Sequence, residues 1–215
     1  MINEVTRGII SQYSDESKRW VFANNVLYDL CKEHSRHDEE HIVVAKIWLI
    51  GRSYAAAIER RKNADNTSSE DFYYDSVAPI IIRIGSDLDD RIETINKMGQ
   101  DLSDDEIKLI LETHSILTKA FNEITGMDKR SLASKYLHFH CPNHFYIYDS
   151  RAAGHIGICV TKEKEMFSRI MTEGFDPAYC DFFLKAYQIS QFSKNELNRE
   201  LSPRDIDNIL LPLSR

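Results

Sequence analysis

Residues 103–121 read SDDEIKLILETHSILTKAF, and their spacing decides the fold class. Ser103 followed three residues later by Glu106 is a capping box, in which the hydroxyl accepts from the Glu106 amide and the carboxylate reaches back. Behind it Ile107, Ile110, Leu111, His114, Leu117 and Phe121 recur in steps of three and four, the period of one helix face. Upstream, Ile47, Ile50, Gly51, Tyr54, Ala55 and Ile58 repeat the pattern and predict a helix running to Ile58. Gly51 and Ala55 to Ala57 keep parts of its surface low enough for a neighbouring backbone. Trp20, Ala23, Leu27, Leu30 and Cys31 predict another helix from Asp15 to about Glu33, and Asn63 to Ser69 reads as a polar loop. Pro79 and Ile80 to Ile82 suit either a strand or a helix beginning near Pro79. No partner strand is evident, so helix is the reading. Thr161, Asp176-Pro177 and Ser202-Pro203 mark further helix starts. The expected architecture is all-α: a single compact, two-lobed helical domain over residues 1–215.

Composition narrows the function classes. In 215 residues there are eight Gly and five Pro, few for the turns of a many-stranded sandwich or barrel. Cys31, Cys141, Cys159 and Cys180 are too scattered for a zinc ribbon or a four-cysteine cluster. No apolar run is long enough for a signal peptide or membrane span, so a cytoplasmic protein with free thiols and no membrane partner is expected. The net charge of −7 argues against non-specific polyanion binding if it is evenly spread.

It is not evenly spread. From Ile124 to His155, Lys129, Arg130, Lys135 and Arg151 outnumber Asp128 and Asp149, leaving two positive charges there and nine negative elsewhere. Four of the eight histidines lie in the same stretch. It reads as a turn at Gly126, a helix from about Arg130 to Phe139, a stop at Pro142, and an apolar connector Phe145 to Tyr148. Asp149 follows, placed to cap a new helix. A basic, aromatic-rich segment in an acidic chain suits local docking on a phosphate backbone. His138 and His140 form an H-x-H pair without an evident third ligand, so no metal and no cofactor are expected.

This order of hairpin glycine, helix, apolar connector, aspartate and helix resembles the signature region of the helix-hairpin-helix DNA glycosylase superfamily. Laid without gaps on the adenine-specific branch, Ala133, Leu137, Phe145, Ile147 and Asp149 fall on matching positions. The likeness covers about 30 residues. The hairpin is changed: Ile124-Thr125-Gly126-Met127-Asp128 lacks the second glycine, and Tyr146 replaces the usual proline. The Lys-Tyr-Leu-His-Phe run is similar to divergent members that act against phages with modified DNA.

The resemblance implies removal of a damaged or modified base from DNA by a monofunctional enzyme, acting as a monomer, in repair or antiviral defence. Asp149 takes the position of the catalytic aspartate, and Ser131 that of the Schiff-base lysine of bifunctional members. Lys135, one turn on, and Lys129 stand as alternative nucleophiles or phosphate ligands. Gly126, Lys129, Arg130, Arg151 and Arg52 are the candidate DNA contacts. Trp48, Tyr54, Tyr146 and Tyr148 are candidates for a pocket around a flipped base. The alternative is a non-catalytic nucleic-acid-binding or regulatory helical protein that kept such a fold.

Overall fold

The Ser103 box forms as its sequence dictates: the Ser103 hydroxyl accepts from the Glu106 amide, and the Glu106 carboxylate accepts from the Ser103 amide at 2.7 Å. The helix it starts, Asp104–Thr125, ends at Gly126, which adopts the left-handed conformation (φ 68°) that a side chain resists. A computed structural model describes residues 2–13, 20–60 and 71–211. Among them are ten α-helices: α1 (Glu4–Gln12), α2 (Val21–Glu33), α3 (Glu40–Ser53), α4 (Ala78–Asn96), α5 (Asp104–Thr125), α6 (Arg130–His140), α7 (Ser150–Cys159), α8 (Lys164–Ile170), α9 (Pro177–Leu197) and α10 (Pro203–Leu210). The described residues form no sheet, only one antiparallel bridge between Ile2 and Val160. The all-helical class is therefore the observed one.

The centre is α6. Every residue from Leu132 to His140 is buried, so this helix has no solvent face, and it packs against α2, α3 and α5. On the other side α9 buries Tyr179, Phe182, Phe183 and Tyr187 and packs against α7, α8 and α10. Asp176 and Ser202 cap α9 and α10, each followed by a proline in the first turn, as their sequences signal.

Several boundaries depart from expectation. The stripe up to Ile58 breaks at Ser53, because Tyr54 is the cap and Ala55 turns left-handed (φ 52°). The chain then folds back so tightly that a Cβ on Gly51 would lie 3.2 Å from the Cα of Ala57. The low surface thus admits a backbone, as its residues predict, and that backbone is the chain's own return. The described part of α2 begins at Val21 with Trp20 as its cap, and Trp20 is 71% exposed, so it lies off the buried stripe. Residues 63–69 lie outside the described residues. A π-helical turn, Tyr73–Val77, leads into α4 at Ala78, which settles the Pro79 segment as helix. Thr161 does not start a helix; α8 begins at Lys164 with Glu163 before it. The first helix, α1, is only nine residues long, is capped by Asn3 and was not read from the sequence.

Candidate active site

The 124–155 segment folds around one buried amine. Lys135 lies on α6 one turn after Ser131 and is 5% exposed. Its Nζ donates to Ser131 Oγ at 2.9 Å and to the Tyr54 carbonyl at 3.3 Å. That carbonyl has no helical partner because α3 stops there, so the break in the stripe creates an acceptor for Lys135. Burial pushes the pKa of the ammonium down from its usual value, and the carboxylates of Asp149 and Asp207 pull it back up.

Asp149 caps α7 as its position predicts. One carboxylate oxygen accepts from the amides of Arg151 (2.8 Å) and Ala152 (2.7 Å), and the side chain is half-buried. These bonds fix its orientation at the positive end of the helix dipole. The second oxygen takes no part in the cap, which leaves it able to face a developing positive charge.

Asp207 belongs to this cluster and went unnoticed in the sequence. It sits on the apolar face of α10 among Ile206, Ile209 and Leu210 and is 5% exposed. Burial raises its carboxyl pKa to about 6; Arg204 opposes the rise, Asp149 adds to it and Lys135 opposes it. Its Oδ2 accepts from Arg204 at 3.5 Å, and among the described residues Oδ1 has no partner. A carboxylate on the buried face of an amphipathic helix is the sequence signal that would have found it.

A cavity of about 390 Å³ adjoins the cluster, lined by Tyr54, Arg204, Asp207 and Asn208 on one side and by Trp20, Asn24 and Leu27 of the α2 end on the other. Arg204 stacks over Tyr28, Tyr54 and Phe139 and separates this space from a larger one of about 610 Å³. The larger cavity is lined by Cys31, Lys32, Asn96 and His140 among others, and no carboxylate reaches it. Of the two, the smaller has a carboxylate, Asp207, among its lining residues.

The other predicted residues divide. Of the four pocket candidates only Tyr54 lines this cavity. Tyr146 is buried in the core edge-on to Phe183, and its carbonyl accepts from Tyr179. Tyr148 packs against Phe182 beneath Arg130, and Trp48 stands 46% exposed on α3, away from the cavity wall. Of the candidate DNA contacts, Arg130 is ion-paired with the α9 cap Asp176, and Arg52, in the last turn of α3, pairs with Glu59. Lys129 donates to the Arg60 carbonyl. Arg151 and Gly126 are exposed.

His138 Nδ1 bonds the Phe145 carbonyl at 2.9 Å, so that nitrogen carries the proton and Nε2 accepts from Tyr28. His140 lies against His37 with ring centroids 4.9 Å apart. Burial drives both pKa values down, to about 3 for His138 and well below normal for His140, so both rings are neutral packing elements. Among the described residues, no group of three or more His, Cys, Asp or Glu converges on a metal position. No family model, curated protein or solved structure matches the chain.

Proposed function

We propose that the chain is a DNA glycosylase that hydrolyses the N-glycosidic bond of a damaged or modified base. The observation that carries the reading is the cluster of Asp149, Lys135 and Ser131, tied through the Lys135 bond to the Tyr54 carbonyl to a cavity of about 390 Å³ that Tyr54 lines. As the bond to the base breaks, its electron pair leaves with the base and positive charge builds on the sugar. A carboxylate held in place by two amides stabilises that charge without having to reorganise. Water then adds to the anomeric carbon and passes a proton to the Asp149 carboxylate, while the departed base takes up a proton and is released neutral. Ser131 and Lys135, bonded to each other, supply a donor and acceptor beside that centre.

The test is base release from oligonucleotides carrying a panel of modified bases, single- and double-stranded, with abasic sites read by alkaline strand breakage. Asp149→Asn keeps a capping side chain and is expected to slow release about 100-fold or more. Unchanged release would remove Asp149 from the chemistry. A borohydride-trapped adduct lost in Lys135→Met would make the lysine the nucleophile, displacing water.

One observation favours the non-catalytic reading. Arg130 and Arg52 are engaged by Asp176 and Glu59, which weakens the local basic surface that a DNA-gripping enzyme would use. Under that reading nucleic acid binds with a shallow salt dependence and no base is released.

A further inference from the structure

We infer that Ser131 and Lys135 form a nucleophile–base dyad for acyl transfer: Ser131 attacks the carbonyl of a carboxylic ester, and Lys135 takes its proton. The dyad uses side chains of the same cluster as the glycosylase reading but does not rest on that reading.

The cluster meets the requirements of an activated serine. The two side chains stand one turn apart on α6, with Ser131 Oγ 2.9 Å from Lys135 Nζ, within reach for direct proton transfer. The base is oriented in turn by a third group, the Tyr54 carbonyl, which accepts from Nζ at 3.3 Å where α3 has ended. Lys135 is 5% exposed while Ser131 is half-buried, so the nucleophile is the more open of the two and the base the drier. Burial holds the Lys135 ammonium below its usual 10.5, against the pull of the Asp149 and Asp207 carboxylates. That enlarges the neutral fraction able to act as a base. With the amine neutral, the Ser131 hydroxyl donates to the Nζ lone pair, and Nζ still donates to the Tyr54 carbonyl.

The helix start gives the oxyanion a place. Ser131 is the second residue of α6, and the side chain of Lys129 before it caps no amide. First-turn N–H groups have no intrahelical partner and carry the positive end of the dipole. A side chain in this turn leans towards the helix start, so charge forming on a carbonyl oxygen attacked by Ser131 lies beside those groups.

As Ser131 Oγ adds to the carbonyl carbon, its proton passes to Lys135 Nζ and the carbonyl π pair moves onto oxygen. When that pair returns, the bond to the alcohol breaks and the departing alkoxide takes the proton from Lys135, leaving acyl-Ser131. Water then adds in the same way and gives its proton to Lys135. Ser131 Oγ leaves, recovers that proton, and the carboxylic acid is released. One proton relay serves both steps. It suffices for an ester, because an alkoxide leaves more readily than the nitrogen of an amide.

The probe is an alkyl fluorophosphonate, which loses fluoride to an activated serine and leaves a stable adduct. On the full chain, peptide mass mapping should place the adduct at Ser131, and Ser131→Ala should form none. Lys135→Met and Lys135→Arg, checked for folding by circular dichroism, should slow labelling about 100-fold or more, since arginine keeps the charge but cannot take a proton. Should neither fold, the natural chain decides through its pH profile. Labelling should rise with pH to a plateau whose midpoint lies below 10.5, and Asp149→Asn, which removes a carboxylate that raises the lysine, should move the midpoint lower. No adduct at Ser131, unchanged labelling in a folded Lys135→Met chain, or a midpoint at or above 10.5 overturns the proposal. Base release separates the two readings. A Ser131 adduct without base release from the oligonucleotide panel defeats the glycosylase reading and supports the dyad; base release by a chain that forms no adduct does the reverse.

Discussion

Asp207 carries a thermodynamic cost set by where its carboxyl is buried. Its carboxyl ionises near pH 6 in the folded chain against an ordinary 3.8, because burial penalises the charged form. Between pH 4 and 6 the unfolded chain has already released the proton that the folded chain still holds. Stability from this group is therefore fully present below pH 4 and lost as pH rises through 6. Asp207→Asn carries no charge to desolvate. It should be more stable than the natural chain by about 2 kcal/mol at pH 8, with the difference vanishing below pH 4. Urea midpoints at the two pH values check this, and an equal gain at both would point to packing rather than charge. Asp149 and Gly126 were legible as cap and turn because those roles are local. Asp207 was legible in principle, as a lone carboxylate in an apolar stripe. The pairing of Arg130 with Asp176 was not, since 46 residues separate them and only tertiary packing joins them.

At the scale of elements, α4 and the joint between α2 and α3 meet without side-chain padding. A Cβ on Gly85 would lie 2.7 Å from the His37 carbonyl oxygen, and one turn on Asp89 accepts from both the His37 ring (2.5 Å) and its amide (3.2 Å). The nearest obstacle is backbone, which cannot rotate away. Gly85→Ala should therefore destabilise by about 2 kcal/mol, despite the better helix propensity of alanine. Gly154 in α7 has nothing within 4 Å of its Cβ position, and Gly154→Ala should stabilise by about 0.5–1 kcal/mol. Thermal melts of the pair decide it, and the same sign for both would contradict the close approach. Sequence showed both glycines inside helices but not which one faces a neighbour. The end of α3 was hidden for a related reason: Ala55 turns left-handed with no Gly, Asn or Pro to announce it.

For the whole molecule, the buried histidines govern the response to acid. Burial holds His114, stacked on Tyr179 at 3.6 Å, down to about 4 and His138 down to about 3, with His140 well below its usual 6.5. An unfolded chain takes up these protons as pH falls through 6.5 while the folded chain does not. His114 and His138 therefore each remove on the order of 3 kcal/mol of stability by pH 4, and His140 acts in the same direction. Burial also lowers His37 and His144, so Asp207, which acts in the opposite direction, is one group against five. Melting temperatures should fall steeply from pH 7 to pH 4; a flat profile between pH 7 and 5 would mean that the native rings accept protons. The all-helical class was readable because stripes and caps repeat along the chain. The uneven charge was readable as a sum, but Arg130, one of the four basic residues in that segment, is paired with Asp176, and sums do not show pairings.

The first helix has a bearing on how the protein can be handled. Asn3 ties it to the end of α7 through the Ile158 carbonyl at 2.7 Å, and Tyr13 ties it to α10 through Asp205 (3.1 Å) and Asn208 (3.3 Å). Arg199 adds bonds to the Ile10 and Tyr13 carbonyls. This clasp joins the helix that Asp149 caps to the helix that carries Asp207, which are otherwise oriented by their own packing. A tag fused close to residue 2, or a version trimmed to begin at residue 20, would leave both carboxylates in the polypeptide while slackening the angle between them. Trimming at that end would thus impair the site through its geometry alone, with every side chain of the carboxylate–lysine cluster still present.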